Sequence, residues 1–125
     1  MTTKTPQRVF QDTNVLVAGR KRVEMLFDNF EDIHVSISSG KDSTVLFYLC
    51  LQEAIKRNRK IYAFFLDQEA EYANSIKTIQ TMMSHPNVIP LWYQVPLYLT
   101  NSTSYTDYFL YAWGKGETWV RDKDP

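Results

Sequence analysis

The stretch Ser36-Ile37-Ser38-Ser39-Gly40-Lys41-Asp42-Ser43-Thr44 decides how the rest of the chain is interpreted. It follows a short apolar run, Ile33 to Ile37, and leads into Val45-Leu46-Phe47-Tyr48-Leu49, which predicts a helix. A strand that ends in small residues and continues as a helix directs backbone N–H groups and the positive helix end toward one point. Such a turn binds phosphate, so the sequence predicts an anion site here.

The residue types in this loop suit that chemistry. Gly40 lets an anion approach the backbone closely, and Lys41 supplies a point charge. Asp42 lies in the first turn of the predicted helix, where an acidic residue interacts favourably with the helix dipole. Three residues offer hydroxyl donors: Ser38, Ser39 and Ser43. We therefore take Lys41 and Asp42 as candidate catalytic residues and the whole run from Ser38 to Ser43 as candidate nucleotide-binding residues.

The loop is not a Walker A motif. Val35 stands where that motif needs its first glycine, and Asp42 stands where it needs serine or threonine after the lysine. Ser38-Ser39-Gly40-Lys41-Asp42-Ser43 instead resembles the SGGKDS signature of the PP-loop superfamily, with Ser39 in place of the first glycine. That superfamily includes the N-type ATP pyrophosphatases and the phosphoadenosine phosphosulfate (PAPS) reductases. The alternative is an ordinary turn between a strand and a helix that happens to contain Gly, Lys and Asp.

Size and composition limit the class of protein. A chain of 125 residues with 44% hydrophobic and 22% charged residues predicts one ordinary globular domain. Fourteen basic and fourteen acidic side chains cancel, so no overall charge favours nucleic acid or an anionic membrane. The sequence has no apolar run long enough to span a membrane and no signal peptide, so we expect a cytoplasmic protein. The single cysteine, Cys50, excludes an internal disulfide and is expected in the core.

The chain in order predicts alternating helices and strands. Residues 1–12 are polar and predict a flexible arm, and residues 13–125 predict a single nucleotide-binding domain. The predicted helices are 13–30 with Thr13 as N-cap, 42–57 and 69–84, and the predicted strands are 33–37, 61–66 and 88–95. Strand, helix, strand with crossovers of this length implies right-handed parallel units. The nearly continuous apolar run Ile61–Leu66 predicts a strand covered on both faces. Pro90 predicts that the third strand either starts after it or lies at an edge of the sheet.

Asp67 follows directly after the second predicted strand. Ligands gather beyond the carboxyl ends of parallel strands, so Asp67 is expected near the loop at 38–43. In PP-loop proteins, which this chain resembles, the base and ribose lie against the end of this strand, which also brings Leu66 into the predicted nucleotide site. An acid here is able to hold Mg²⁺ or a ribose hydroxyl. The alternative is that Asp67 only caps the helix that follows.

Aromatic residues crowd the end of the chain: Tyr98, Tyr105, Tyr108, Phe109, Tyr111, Trp113 and Trp119. No clean period is present, and we interpret 104–113 as a helix followed by a turn at Gly114-Lys115-Gly116. With Lys115, Arg121 and Lys123 these aromatics form either a stacking surface for a base or nucleic acid, or a lid packed over the core. The lid is the preferred interpretation.

Three further segments resemble a narrower family. These segments, 64–71, 92–96 and 116–121, are similar to PAPS reductase-like proteins described as phosphoadenosine phosphosulfate sulfotransferases, including the immunoglobulin-binding regulator type that is paired with a ParB-like partner. The resemblance covers roughly residues 14–125 and implies a three-layer α/β/α fold with a twisted parallel sheet, similar to a Rossmann fold. Members of that family continue beyond the equivalent of Pro125, so we expect a fragment or a short relative with an incomplete version of that fold. An open sheet edge would then pair with a second copy or a partner protein.

The resemblance implies two kinds of function. In the first, the chain binds ATP or PAPS, with Mg²⁺ accompanying ATP, and cleaves the α–β phosphate bond to adenylate an acceptor or handles activated sulfate. In the second, the same pocket senses a nucleotide without turnover and acts through a partner. PAPS reductases resemble one another in a catalytic cysteine near the C-terminus, and this sequence has none there. Reduction through a cysteine is therefore disfavoured.

Overall fold

A computed structural model describes residues 9–100 and 104–123. Its elements in chain order are α1 (Val15–Asn29), β1 (His34–Ser36), α2 (Lys41–Lys56), β2 (Ile61–Leu66), α3 (Ala73–Met83), β3 (Val88–Tyr93), β4 (Leu97–Thr100) and β5 (Phe109–Ala112). The predicted arm falls mostly on residues 1–8, which lie outside the described residues. None of the described helices has the length and apolar character needed to cross a membrane.

The first three strands form one parallel sheet in the order β1-β2-β3. Val35 lies beside Ala63, and Ala63 lies beside Pro90 on the other side. The predicted strand, helix, strand units and their parallel direction are confirmed. Pro90 lies inside β3, which is an edge strand of the sheet among the described residues, so the second of the two alternatives for Pro90 is confirmed. An edge strand tolerates a residue without a backbone N–H.

The core lies on one face of this sheet. The strand residues that point to it alternate along each strand, as in Ile61, Ala63 and Phe65, which are all buried. Phe47 and Cys50 from α2 and the Met82–Met83 pair from α3 pack into the same cluster. Since α1 packs against α2, all three helices belong to this side, and the described residues form two layers.

The opposite face of the sheet is much more open. Tyr62 and Phe64 are half-buried, whereas Leu66 and Tyr93 are exposed. The apolar run Ile61–Leu66 therefore has only one fully buried side among the described residues. The sequence predicted cover on both sides because its even positions are as apolar as its odd ones. The third layer remains a prediction.

Helix α1 is held by arginines that follow α2. Arg59 donates to the carbonyl oxygens of Phe27 and Phe30 at 2.8 Å each, and its guanidinium lies 4.9 Å from the centre of the Phe27 ring. A cation at these carbonyls satisfies groups that the end of a helix leaves unpaired. Arg57 joins Glu53 at 2.5 Å and Asp28 at 2.6 Å. These contacts fix α1 beside the helix that carries the loop.

Two predicted helix starts and one predicted helix were wrong in ways that the side chains explain. The N-cap of α1 is Asn14 rather than Thr13, because the Asn14 side chain accepts the Val17 N–H at 2.9 Å. Helix α3 begins at Ala73 rather than Glu69, because Glu69 has a left-handed φ of 68° and its N–H donates to the Asp67 side chain. The helix predicted over 104–113 is absent. There, β5 pairs antiparallel with β4, since aromatic residues such as Phe109 and Tyr111 favour strands.

Candidate functional site

The loop between β1 and α2 is closed by serine side chains. The Ser38 N–H donates to the Ser43 hydroxyl oxygen at 3.2 Å, and the two hydroxyl oxygens lie 3.1 Å apart. The Ser43 hydroxyl also lies 3.1 Å from the carbonyl oxygen of Gly40, to which it donates. The two ends of the loop are therefore tied together across the start of the helix. The sequence placed both serines in the site, and the structure brings them into contact.

The backbone of the loop contains one left-handed residue, Ser39, with φ of 57°. Only glycine adopts this region without a steric penalty. Gly40 has an ordinary extended conformation and is the N-cap of α2. A Cβ built on Gly40 would lie 3.4 Å from the Ser38 Oγ and 4.0 Å from the Ser43 Oγ, which are ordinary contacts. The missing side chain at Gly40 therefore leaves the backbone next to these two hydroxyls uncovered.

We expect Ser39→Gly to stabilise the chain by up to about 1 kcal/mol. A left-handed non-glycine residue costs roughly 1–2 kcal/mol, against roughly 0.5–1 kcal/mol for the extra freedom of glycine in the unfolded chain. Urea unfolding of both proteins measures the difference. Ser36→Gly is the matched control, because Ser36 is an exposed strand residue without a positive φ. Ser36→Gly should lower the free energy of unfolding. An equal decrease in Ser39→Gly would contradict the steric cost assigned to the left-handed Ser39.

The start of α2 is open to an anion. No side chain of the described residues caps the first turn, so its N–H groups and the helix dipole face the loop. The side chain of Lys41 is 89% exposed and that of Asp42 is 95% exposed, and the two form an ion pair of 3.7 Å. Such exposed pairs are weak and leave the lysine available to a stronger anionic partner. The predicted phosphate site therefore has a suitable local geometry.

The open face of the sheet adjoins this loop. Leu66 ends β2 and is 38% exposed, and the rings of Phe64 and Tyr93 lie 5.3 Å apart on the same face. The Ile37 N–H donates to the Phe64 carbonyl oxygen at 2.9 Å, so the ends of β1 and β2 are adjacent. This places Leu66, the Phe64–Tyr93 pair and the loop at one edge. A flat aromatic base is able to stack on this face.

Asp67 lies at that edge but is fully buried. Its Oδ1 accepts the Glu69 N–H at 2.9 Å. Its Oδ2 accepts the Trp92 Nε1–H at 2.8 Å and the Gln94 amide at 2.9 Å, and it also pairs with the Arg121 guanidinium. Both oxygens are thus occupied by protein donors. Asp67 does not cap α3, which begins six residues later.

The surroundings of Asp67 act on its pKa in two directions. Burial raises the pKa, but hydrogen bonds from Arg121, Gln94, Trp92 and the Glu69 N–H outweigh it, so the pKa lies below its ordinary value. The carboxylate is therefore charged at neutral pH. The donors that surround it leave no position for a metal ion without displacing one of them. Among the described residues no group of three His, Cys, Asp or Glu side chains is arranged to hold a metal.

Sequence reasoning missed two residues at this edge. Glu69 is buried, and its carboxylate accepts the N–H groups of Trp113 at 2.5 Å and Val120 at 2.8 Å. Arg121 reaches Asp67 from 54 residues away. The polar pair Asp67 and Glu69 after a buried strand was a usable signal, since charged groups at such a position need partners. Nothing in the sequence identified the partners.

Several other titratable and aromatic side chains have contacts that explain their positions without a ligand. The ring of His34 stacks on Tyr62, with 4.4 Å between ring centres. Burial raises the pKa of the Cys50 thiol, which suits the predicted core cysteine. Arg20 donates to the Gln52 side chain on α2 at 3.3 Å. The rings of Tyr98 and Tyr111 stack 4.3 Å apart on the β4–β5 hairpin.

Comparison with known proteins adds one distant relative. The chain is 32% identical over 111 residues to a protein of Escherichia coli (strain K12) named uncharacterized protein YbdN. The match covers 86% of this chain and 27% of that protein, so the chain spans about a quarter of the relative's length. No protein-family model matches the chain, and no solved structure matches it. The chain is thus similar to part of a longer bacterial protein.

Proposed function

We propose that residues 38–43 bind the phosphates of an adenine nucleotide, ATP as its Mg²⁺ complex or PAPS. The observation that carries this proposal is the start of α2, where a loop closed by Ser38 and Ser43 leaves the first turn uncapped beside an exposed Lys41. Backbone N–H groups at a helix start recognise phosphate, and the lysine adds charge. The resemblance of this loop to the PP-loop signature selects a nucleotide over a simple anion.

The base would lie on the open sheet face beside the loop. Leu66 is exposed at the end of β2, and Tyr93 is exposed next to it on β3. Together with Phe64 they offer apolar and aromatic surface within reach of a ligand whose phosphates sit at the helix start. This arrangement supports an adenine nucleotide in which base and phosphates contact two neighbouring strand ends.

The proposed reaction is cleavage of the α–β phosphate bond. A nucleophilic acceptor would attack the α-phosphorus of ATP, the bond to the β-phosphate would break, and pyrophosphate would leave. Lys41 and the N–H groups of the first turn would stabilise negative charge on the phosphates. Asp42 is the second candidate catalytic residue. It is ion-paired with Lys41, and a bound phosphate would compete with its carboxylate for the lysine. With PAPS the same site would handle activated sulfate.

Product formation tests the enzymatic form of the proposal. The chain with ATP, Mg²⁺ and a panel of nucleophilic acceptors should release pyrophosphate, and Lys41→Ala should reduce that release by at least about 100-fold, as expected for a charge that acts in the transition state. Lys60→Ala, an exposed lysine at the other end of the sheet, is the control. Pyrophosphate release that survives Lys41→Ala would contradict this role of the loop.

The second candidate is a regulatory module that binds the nucleotide without turnover. It is favoured by the open face of the sheet and by the edges at β1 and β3, which no other described strand covers and which offer surface for a partner protein or a second copy. In this form, nucleotide binding would be saturable, no product would appear with any acceptor, and the oligomeric state or partner binding would depend on the nucleotide. The resemblance to proteins paired with a ParB-like partner points to the same kind of function.

A further inference from the structure

Residues 113–121, here called the clasp, fold back onto the end of β2. The indole Nε1–H of Trp113 donates to the Asp67 carbonyl oxygen at 2.8 Å, and Trp113 is 1% exposed. The indole N–H of Trp119 donates to the Gly114 carbonyl oxygen at 2.9 Å. A Cβ on Gly114 would come within 2.4 Å of the Tyr111 ring, so glycine is required for this close turn. The clasp is therefore a packed structure.

Two buried carboxylates bind residues of the clasp. Asp67 is 0% exposed and pairs with Arg121, at the far end of the clasp. Glu69 is 3% exposed and accepts the N–H groups of Trp113 and Val120, near the two ends of the clasp. A buried charge is tolerated only where it is paired and hydrogen-bonded. Glu69 receives both of its donors from the clasp. Asp67 receives its cation, Arg121, from the clasp and its other donors from Trp92, Gln94 and the Glu69 N–H.

We propose that Asp67 and Glu69 are positioning residues that hold the clasp at the carboxyl edge of the sheet, with Arg121 supplying the cation that Asp67 pairs with. The clasp and the loop share one edge, because Asp67 follows β2 and the neighbouring strand β1 leads into the loop. A clasp that is firmly anchored should therefore raise the affinity of this edge for its nucleotide. This last step rests on the proposed function, whereas the anchoring itself does not.

Hydrogen exchange of the clasp amides tests the anchoring without any nucleotide. Asp67→Asn and Glu69→Gln should each raise the exchange rates of the Trp113 and Val120 amides by at least about 10-fold. Glu69→Gln removes the charge of the group that accepts these two N–H groups, and Asp67→Asn removes the ion pair with Arg121. Glu117→Gln changes an exposed carboxylate of the same clasp and should leave those rates unchanged. Glu69→Gln keeps the Asp67–Arg121 pair, so it serves as the second variant if Asp67→Asn does not fold. Unchanged exchange in Glu69→Gln would overturn the anchor.

Titrations separate this role from metal binding. MgCl₂ alone should show no saturable binding to the chain, and the anchor variants should bind ATP more weakly by a similar factor with and without Mg²⁺. Saturable Mg²⁺ binding that Asp67→Asn removes would overturn the assignment and make Asp67 a metal ligand. Faster exchange with unchanged ATP affinity would overturn the coupling between clasp and site. If the unmodified chain binds no nucleotide while exchange responds as expected, the proposed function fails and the anchor is supported.

Discussion

Phe47→Ala is expected to lower the free energy of unfolding by about 3–5 kcal/mol, the range for removing a fully buried phenyl group. Phe47 is 0% exposed and belongs to the core that joins α2 to the sheet. The substitution removes the ring and leaves a cavity that a packed interior fills only in part. Because α2 begins within the loop at 38–43, the loss also weakens the packing that supports the candidate site.

Chemical unfolding monitored by circular dichroism measures this effect. Leu46→Ala is the matched control, since Leu46 precedes Phe47 on the same helix and is 48% exposed. It should cost less than about 1 kcal/mol, as for most substitutions outside the core. Similar losses in the two variants would mean that the face of α2 assigned to the core is wrong.

Arg121→Met is expected to destabilise the chain by about 3–5 kcal/mol at neutral pH, because it leaves a buried carboxylate without its cation. Asp67 has a lowered pKa in the folded chain. Its contribution to stability is therefore present above the pKa of an unfolded aspartate and is lost as the pH falls through the folded value. Arg121→Met removes the largest interaction that lowers the pKa of Asp67, while burial still raises it, so the pKa of Asp67 should rise in the variant.

The difference between the unmodified chain and Arg121→Met should therefore be largest near pH 7 and shrink toward pH 4 and below. Urea unfolding across this pH range measures it. Lys115→Met is the control, since Lys115 is an exposed cation of the same clasp, and it should change stability by no more than about 0.5 kcal/mol. A deficit in Arg121→Met that is independent of pH would contradict the role assigned to the Asp67–Arg121 pair.

The sequence was most informative where local signals and periodicity agreed. The bounds of β2 were predicted correctly as Ile61–Leu66, and the parallel sheet followed from the crossovers. Boundaries failed where side chains compete with the helix backbone, as where the left-handed Glu69 turns the chain before α3. The hairpin of β4 and β5 was missed because four-residue strands carry little periodic signal.

For the candidate site too, the sequence identified contiguous residues but not the contacts between distant ones. The loop at 38–43 is contiguous, so it could be proposed as a phosphate site from the order of its residues along the chain. Asp67 was placed at the correct edge by the rule for parallel strands, yet its environment depends on Trp92, Gln94 and Arg121, which reach it from 25, 27 and 54 residues away. One sequence carries no record of such distant contacts. The buried role of Asp67 is therefore a finding of the structure.

The central claim is that residues 38–43 form a nucleotide site, and calorimetric titration tests it most directly. The purified chain would be titrated with ATP–Mg²⁺ and, separately, with PAPS, beside Lys41→Ala and the control Lys60→Ala. We expect saturable binding of at least one nucleotide, unchanged in Lys60→Ala and weaker by at least about 10-fold in Lys41→Ala, as for the loss of a charged phosphate contact. Absence of binding to both nucleotides, or equal affinities in the two lysine variants, would contradict the claim.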